Sequence, residues 1–196
     1  RSLAIQTDYR VRWRYVLPAY YARAAWILPT RLVRYRGKGK VLCSALRWMI
    51  YLEKLHDALS RLDKDGRILL DQGPVFWLTY LHAFGSDGIR DEWFTRWWDR
   101  CVSDWSSMLD IIFFLDGDDT ALIRRVRNRN KIHRIQNLSD EEACAFLACY
   151  REEYGRTIAK LTAGEGPRVH YLLTDRESPD KVADQILIKL LAGHSC

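Results

Sequence analysis

Ile111-Ile112-Phe113-Phe114-Leu115-Asp116 is an apolar run closed by a carboxylate, and Gly117-Asp118-Asp119 follows it at once. A short run of this kind, rich in β-branched and aromatic residues and bounded by turn formers, predicts a strand. Asp and Gly in the next positions then predict the start of a helix running to about residue 129. Two further stretches share the pattern. Ile68-Leu69-Leu70-Asp71 is continuously hydrophobic between turn residues, which suits a strand buried on both faces of a parallel sheet. Residues 169–173 form the third, leading into Thr174-Asp175. All three end in Asp or lead straight into one: Asp71, Asp116 and Asp175. In a parallel sheet, ligands sit outside the carboxyl ends of the strands, so these acids are candidates for a site. Asp also favours helix caps and turns, and for Asp116 and Asp175 that is the favoured account.

The intervening segments are helical. Leu46, Met49, Ile50, Leu52, Leu55, Leu59 and Leu62 recur at helical spacing and predict a helix over 44–63, with Ser44 as its cap and Gly66 beyond its end. Gln72-Gly73-Pro74 turns the chain into another, with Pro74 at the first helical position and Gly73 as the cap. After a loop at 85–88, a Trp-rich helix is expected over 89–109, its Trp93, Phe94, Trp97, Trp98, Trp105 and Met108 packing against neighbouring helices. A polar loop at 130–138 precedes a helix from Ser139 to about Leu161, with Ser139 and Glu142 spaced as a capping box. Gly164-Glu165-Gly166-Pro167 breaks the chain, and Ser178-Pro179 opens a final amphipathic helix. Strands alternating with helices give an α/β fold: a parallel sheet flanked by helices.

The 196 residues suffice for one substantial domain with its own core. With 48% hydrophobic and 29% charged residues, neither a disordered tail nor a collagen-like fibre is compatible with the composition. The five cysteines are odd in number and form no C-x-x-C pair, so neither a disulfide framework nor a zinc site is indicated; reduced thiols point to the cytoplasm. Net charge is +6, yet residues 1–40 carry ten Lys or Arg against the single acid Asp8. Segments such as Arg12-Trp13-Arg14-Tyr15 suit a polyanion or a phosphorylated substrate. Residues 13–30 are the most apolar part of that stretch, but Arg14, Arg23, Pro18 and Pro29 interrupt them. A membrane span, which needs roughly 20 apolar residues, is excluded there, whereas peripheral membrane contact stays open.

A second basic cluster, Arg124, Arg125, Arg127, Arg129, Lys131 and Arg134, contains no acid. Cations near a helix C-terminus are favourable, which explains one or two of these residues; mutual repulsion among six would be relieved by a bound polyanion. Asp71 is the acid left over once Gly73 caps the next helix, free to hold a metal-bound water or to accept a proton from a substrate. A strand-tip carboxylate and a loop of arginines are two of the parts that phosphoryl transfer needs. The third, a G-x-x-x-x-G-K-[ST] phosphate cradle, is absent from the 196 residues; Gly37-Lys38-Gly39-Lys40 has the wrong spacing.

From Leu115 to Gln136 the chain resembles the thymidylate-kinase-like branch of the P-loop nucleotide kinases. There a strand ending in Leu-Asp leads into a helix with an Arg-x-x-x-Arg pair and then into a lid loop. Arg125 and Arg129 stand at the paired positions, and Arg134-Ile135 match the lid. Thr174-Asp175 and Ser178-Pro179-Asp180-Lys181-Val182-Ala183 are similar to the family's C-terminal pattern, and Asp71 falls on its Asp-Arg motif. The similarity covers residues 45–191 in order. Two departures stand out: Asp-Arg becomes Asp71-Gln72, losing a bidentate phosphate clamp, and the lid's acids become His133 and Gln136.

The resemblance implies a P-loop NTPase-like three-layer fold, N-terminally truncated so that its first strand, cradle and first helix precede Arg1. Under it, residues 1–196 form one domain. Its parts are a basic, mostly helical acceptor side at 1–66, core strands with the Trp-rich helix at 67–116, a helix and Arg-rich lid at 117–138, and C-terminal helices and strand at 139–196. The implied activity is ATP- and Mg²⁺-dependent transfer of a phosphoryl group to a small-molecule hydroxyl or phosphate acceptor. Asp71 would organise Mg²⁺ through water or act as base, Arg125, Arg129 and Arg134 would close over the phosphates, and Asp175 would contact the nucleotide. A homodimer is compatible with this assignment, and nucleic acid is disfavoured as partner. The competing expectation is a non-catalytic P-loop-like module whose basic face meets acidic partners or membrane surfaces.

Overall fold

The computed structural model describes residues 18, 22, 39–62, 68–85, 91–130 and 133–192. Most of the basic segment 1–40, together with Lys131 and Cys196, therefore lies outside the described residues. The chain is mixed α/β, mostly helical, with a small parallel sheet of two strands. Its residues group into two compact units, one of 1–108 with 153–165 and one of 109–152 with 166–196.

In the first unit, helix α1 (Gly39–Leu59) buries Leu42, Ala45, Leu46, Met49, Ile50, Leu52 and Leu55, an apolar stripe at 3–4-residue spacing. The helix starts earlier than Ser44, which sits exposed in its second turn and caps nothing. Residues 68–70 form no strand and no other regular structure. No described segment pairs with them, and Ile68 and Leu69 remain exposed. An apolar run becomes a buried strand only where a neighbouring backbone completes its hydrogen bonds, and this run has none. The chain then turns sharply. Gln72 adopts a left-handed conformation (φ 47°), and a Cβ on Gly73 would stand 2.8 Å from Leu70 Cβ, so the second position admits only glycine. Pro74 opens α2 (Pro74–Tyr80) with Gly73 as its N-cap, and a π-helical turn (Leu81–Gly85) continues it.

Helix α3 (Glu92–Met108) places Phe94, Trp97, Trp98, Cys101, Val102 and Trp105 in the core of this unit. Two of the indoles also find polar partners: Trp97 Nε1 donates to Glu53 Oε1 at 3.0 Å and Trp98 Nε1 to the Leu78 carbonyl at 3.1 Å. That satisfies the only polar atom each ring carries into the core.

The second unit is built on β1 (Ile111–Asp116) and β2 (Arg168–Leu173), paired in parallel with Ile112 opposite Val169 and Asp116 opposite Leu173. Helix α4 (Asp119–Arg127) follows β1 and is capped by Asp118, whose carboxylate accepts from the Thr120 and Ala121 amides. A 3₁₀ turn (Arg134–Asn137) leads to α5 (Asp140–Leu161), whose residues from 153 on belong to the first unit, and α6 (Pro179–Ala192) follows β2. The capping box expected before α5 is present: Ser139 Oγ accepts from the Glu142 amide at 3.2 Å while Glu142 Oε2 accepts from the Ser139 amide at 2.9 Å. Ile123, Ile135 and Ala143 form a buried cluster with Val126, Leu138, Phe146 and Leu147 around it. The sheet is not buried on both faces: Leu115, Tyr171 and Leu173 are each more than half exposed. Among the described residues no helix is long and apolar enough to cross a membrane.

Candidate functional site

In the second unit the carboxyl ends of both parallel strands meet. Thr174, the first residue past β2, donates its amide to the Asp116 carbonyl at 2.7 Å and its hydroxyl to the same oxygen at 2.9 Å. Gly117 is buried at this junction, and a Cβ there would lie 3.4 Å from both Thr174 Oγ1 and Asp175 Cβ. The short apolar strands thus bring Asp116, Gly117, Thr174 and Asp175 together, although residues 116 and 174 are 58 positions apart.

Three acids follow one another here with different work. Asp118 is the helix cap. Asp116, for which a cap or turn role was the competing expectation, instead receives Arg151: Nε donates to Oδ2 at 2.9 Å and to Oδ1 at 3.1 Å. The same guanidinium donates through Nη2 to the Gly117 carbonyl at 2.8 Å and places Nη1 2.5 Å from Asp119 Oδ1. The Asp116 hydrogen bond, followed by that of Asp119, holds the Arg151 pKa above its ordinary value. Sequence inspection overlooked Arg151 because it lies within Arg151-Glu152-Glu153, which reads as a solvated helix face.

Asp175 differs from these. Its side chain is 16% exposed, Arg176 reaches its outer oxygen only at 3.9 Å, and its Oδ1 is buried without a hydrogen-bond partner among the described residues. A buried carboxylate oxygen left unsatisfied is costly.

Of the arginines expected to close over phosphates, Arg125 is engaged with protein: Nη1 donates to Thr174 Oγ1 at 2.8 Å and Nη2 to the Thr174 carbonyl. Arg127 is engaged as well, with Asp140 at 2.6 Å and the Leu138 carbonyl at 2.8 Å. Arg124, Arg129 and Arg134 are exposed and form no ion pair among the described residues; Arg134 lies over the Phe146 ring at 5.5 Å. Next to them, His133 Nδ1 accepts the Ile135 amide at 3.2 Å, and Gln136 Oε1 accepts the His133 amide at 3.0 Å. Burial, helped by the Arg129 charge, pushes the His133 pKa below its usual value, in keeping with a ring nitrogen that must stay unprotonated to cap the turn.

Asp71 belongs to the first unit, in the exposed turn before α2, and its carboxylate carries no hydrogen bond or ion pair among the described residues. Arg125, Arg129, Arg134 and Asp175 belong to the second unit. Among the described residues no three His, Cys, Asp or Glu side chains gather as a metal site.

The first unit also carries a cavity of about 250 Å³ between α1 and α3, walled by Glu53, His56, Arg100, Cys101 and Trp105. Its cysteine is no nucleophile: burial pushes the Cys101 thiol up to about 12. Elsewhere in that unit His82 Nδ1 lies 2.8 Å from Glu153 Oε2, whose other oxygen takes Arg156 at 2.7 Å, a pair that local sequence patterns do not reveal. Comparison of the chain with protein-family models, with curated proteins and with solved structures found no match.

Proposed function

We propose that the second unit recognises ATP and that the chain belongs to an ATP-dependent phosphotransferase of the P-loop nucleotide- or nucleoside-kinase type. One observation carries the proposal. Arg125 ties α4 to Thr174, so the cationic segment 124–134 starts at the strand ends, beside the unsatisfied Asp175 oxygen. A nucleotide offers both complements: a base or ribose that can donate to Asp175, and phosphates for Arg124, Arg129 and Arg134. Exposed guanidinium groups with no acid partner keep their full donor capacity for phosphate oxygens. Asp71, in the first unit, is a separate candidate for holding Mg²⁺ through water or accepting a proton. The phosphate cradle that such a reaction requires is not found in these 196 residues, so recognition of the nucleotide, not the whole reaction, is what they are assigned. The acceptor is a small molecule bearing a hydroxyl or phosphate.

Titration calorimetry with Mg·ATP tests this. Saturable binding is expected, weakened by about tenfold or more in Arg129→Ala and in Asp175→Asn, the loss of one charge-assisted contact each. A second reading, a non-catalytic basic module for acidic partners or membrane surfaces, draws on the same three free arginines. It predicts that polyanions of any shape bind equally, that Asp175→Asn changes nothing, and that affinity collapses with salt. Equal binding of ATP and inorganic triphosphate would favour that module.

A further inference from the structure

We infer that Arg151 is a positioning residue for the nucleotide-recognising strand ends, acting through a relay that runs Arg151, Asp116, Thr174, Arg125. The inference rests on the nucleotide assignment above, but the part of the relay from Arg151 to Thr174 is open to test without any ligand. Arg151 contacts three residues of one turn: both oxygens of Asp116, the Gly117 carbonyl and Asp119. A planar guanidinium can hold these directions at once, whereas an ammonium group reaches them one at a time. What Arg151 fixes is the orientation of the Asp116 peptide, whose carbonyl accepts both the amide and the hydroxyl of Thr174. Thr174 in turn receives Arg125 on its hydroxyl oxygen and its carbonyl.

The last link matters for recognition. Asp175 follows Thr174 directly, and Gly117 packs within 3.4–3.5 Å of where a Cβ would meet Asp175 and Thr174, so the Asp116–Gly117 geometry sets where the Asp175 carboxylate lies. Arg151 itself is 32% exposed, and its donors are committed to Asp116, Gly117 and Asp119; it serves as a brace, and the free arginines of 124–134 remain for phosphate. Removing the brace should therefore degrade the end of the site that selects a nucleoside and spare the end that attracts phosphate.

Two measurements on the whole chain decide the matter. In Arg151→Ala, hydrogen exchange at the Thr174 amide is expected to speed up by about tenfold or more while the amides of the β1–β2 ladder keep their protection, because only the junction loosens. Arg151→Lys should show the same defect in milder form. By calorimetry, Arg151→Ala should lose about tenfold in Mg·ATP affinity and keep its affinity for inorganic triphosphate, and adding Asp116→Asn to it should cost little more, since both remove one interaction. Unchanged exchange at Thr174, or equal losses for ATP and triphosphate, would overturn the relay. Faster exchange at Thr174 in a chain whose unaltered form binds no ATP would uphold the relay and defeat the nucleotide assignment instead.

Discussion

Arg125 grips Thr174 at two points: Nη1 meets the side-chain hydroxyl at 2.8 Å and Nη2 the backbone carbonyl. The bond joins the helix after β1 to the residue after β2 and gives the parallel pair a cross-tie at its carboxyl end. Arg125→Ala, or Thr174→Val, is expected to cost about 1 kcal/mol, discounted for the exposure of the arginine. Urea unfolding of the single and double variants checks it. A double variant close to either single one is the outcome that shows a shared interaction.

Asp118 caps the N-terminus of α4, accepting from Thr120 at 2.9 Å and Ala121 at 3.3 Å. Asp118→Ala should destabilise by about 1 kcal/mol, and Asp118→Asn or Asp118→Ser by much less, since either can still cap. Denaturant midpoints of the three variants would rank them. Equal loss in all three would mean that the charge near the helix dipole, and not the capping bond, is what counts.

His133 gives the chain a pH dependence with a definite sign. Its folded pKa lies below the ordinary histidine value, first from burial and then from Arg129, so the unfolded chain binds its proton more readily. The stability it contributes is present above the unfolded pKa, about 6.5, and is lost as pH falls through the folded value. His170, shifted down by burial and by the Lys189 and Arg168 charges, moves in the same direction. Thermal melts between about pH 7.5 and 5 should show the decline, smaller in His133→Asn, which retains a capping acceptor without a titrating group. An NMR titration placing His133 above the unfolded value would contradict the sign.

Gln72 and Gly73 make opposite demands on one turn. Gln72 sits at φ 47°, where glycine is at ease, while Gly73 has room for no Cβ because Leu70 Cβ stands 2.8 Å away. Gln72→Gly should come close to neutral, as relief of about 1–2 kcal/mol of left-handed strain is offset by the greater freedom of glycine in the unfolded chain. Gly73→Ala should destabilise by more than 1 kcal/mol, because backbone or Leu70 must shift. Comparing their melting temperatures tests the turn, and a harmless Gly73→Ala would refute the close approach.

Local signals in the chain were read well where the residues that produce them lie within one element. Ile111–Asp116 forms the strand its apolar run foretells, Gly73-Pro74 opens α2, and Ser139 with Glu142 caps α5. Ile68-Leu69-Leu70 shows the limit. Its composition matches that of a strand, but strand formation depends on a partner backbone, and among the described residues none is supplied. Asp116, Asp118 and Asp119 are alike in sequence, and nothing within the segment says that the middle one caps while the outer two meet Arg151.

The amino-acid sequence by itself determined most of the helices, the strand at 111–116, the caps at Gly73 and Ser139 and the placing of the charge, because periodicity, turn chemistry and composition act over a few residues. Only the tertiary structure decided which arginines stay free. Arg125 meets a partner 49 residues away and Asp116 one 35 residues away, and such pairings exist only after β1 and β2 have aligned in register. A guanidinium is a phosphate ligand or a structural brace according to what folding sets beside it, and in this chain it set Thr174 beside Arg125 and Asp116 beside Arg151.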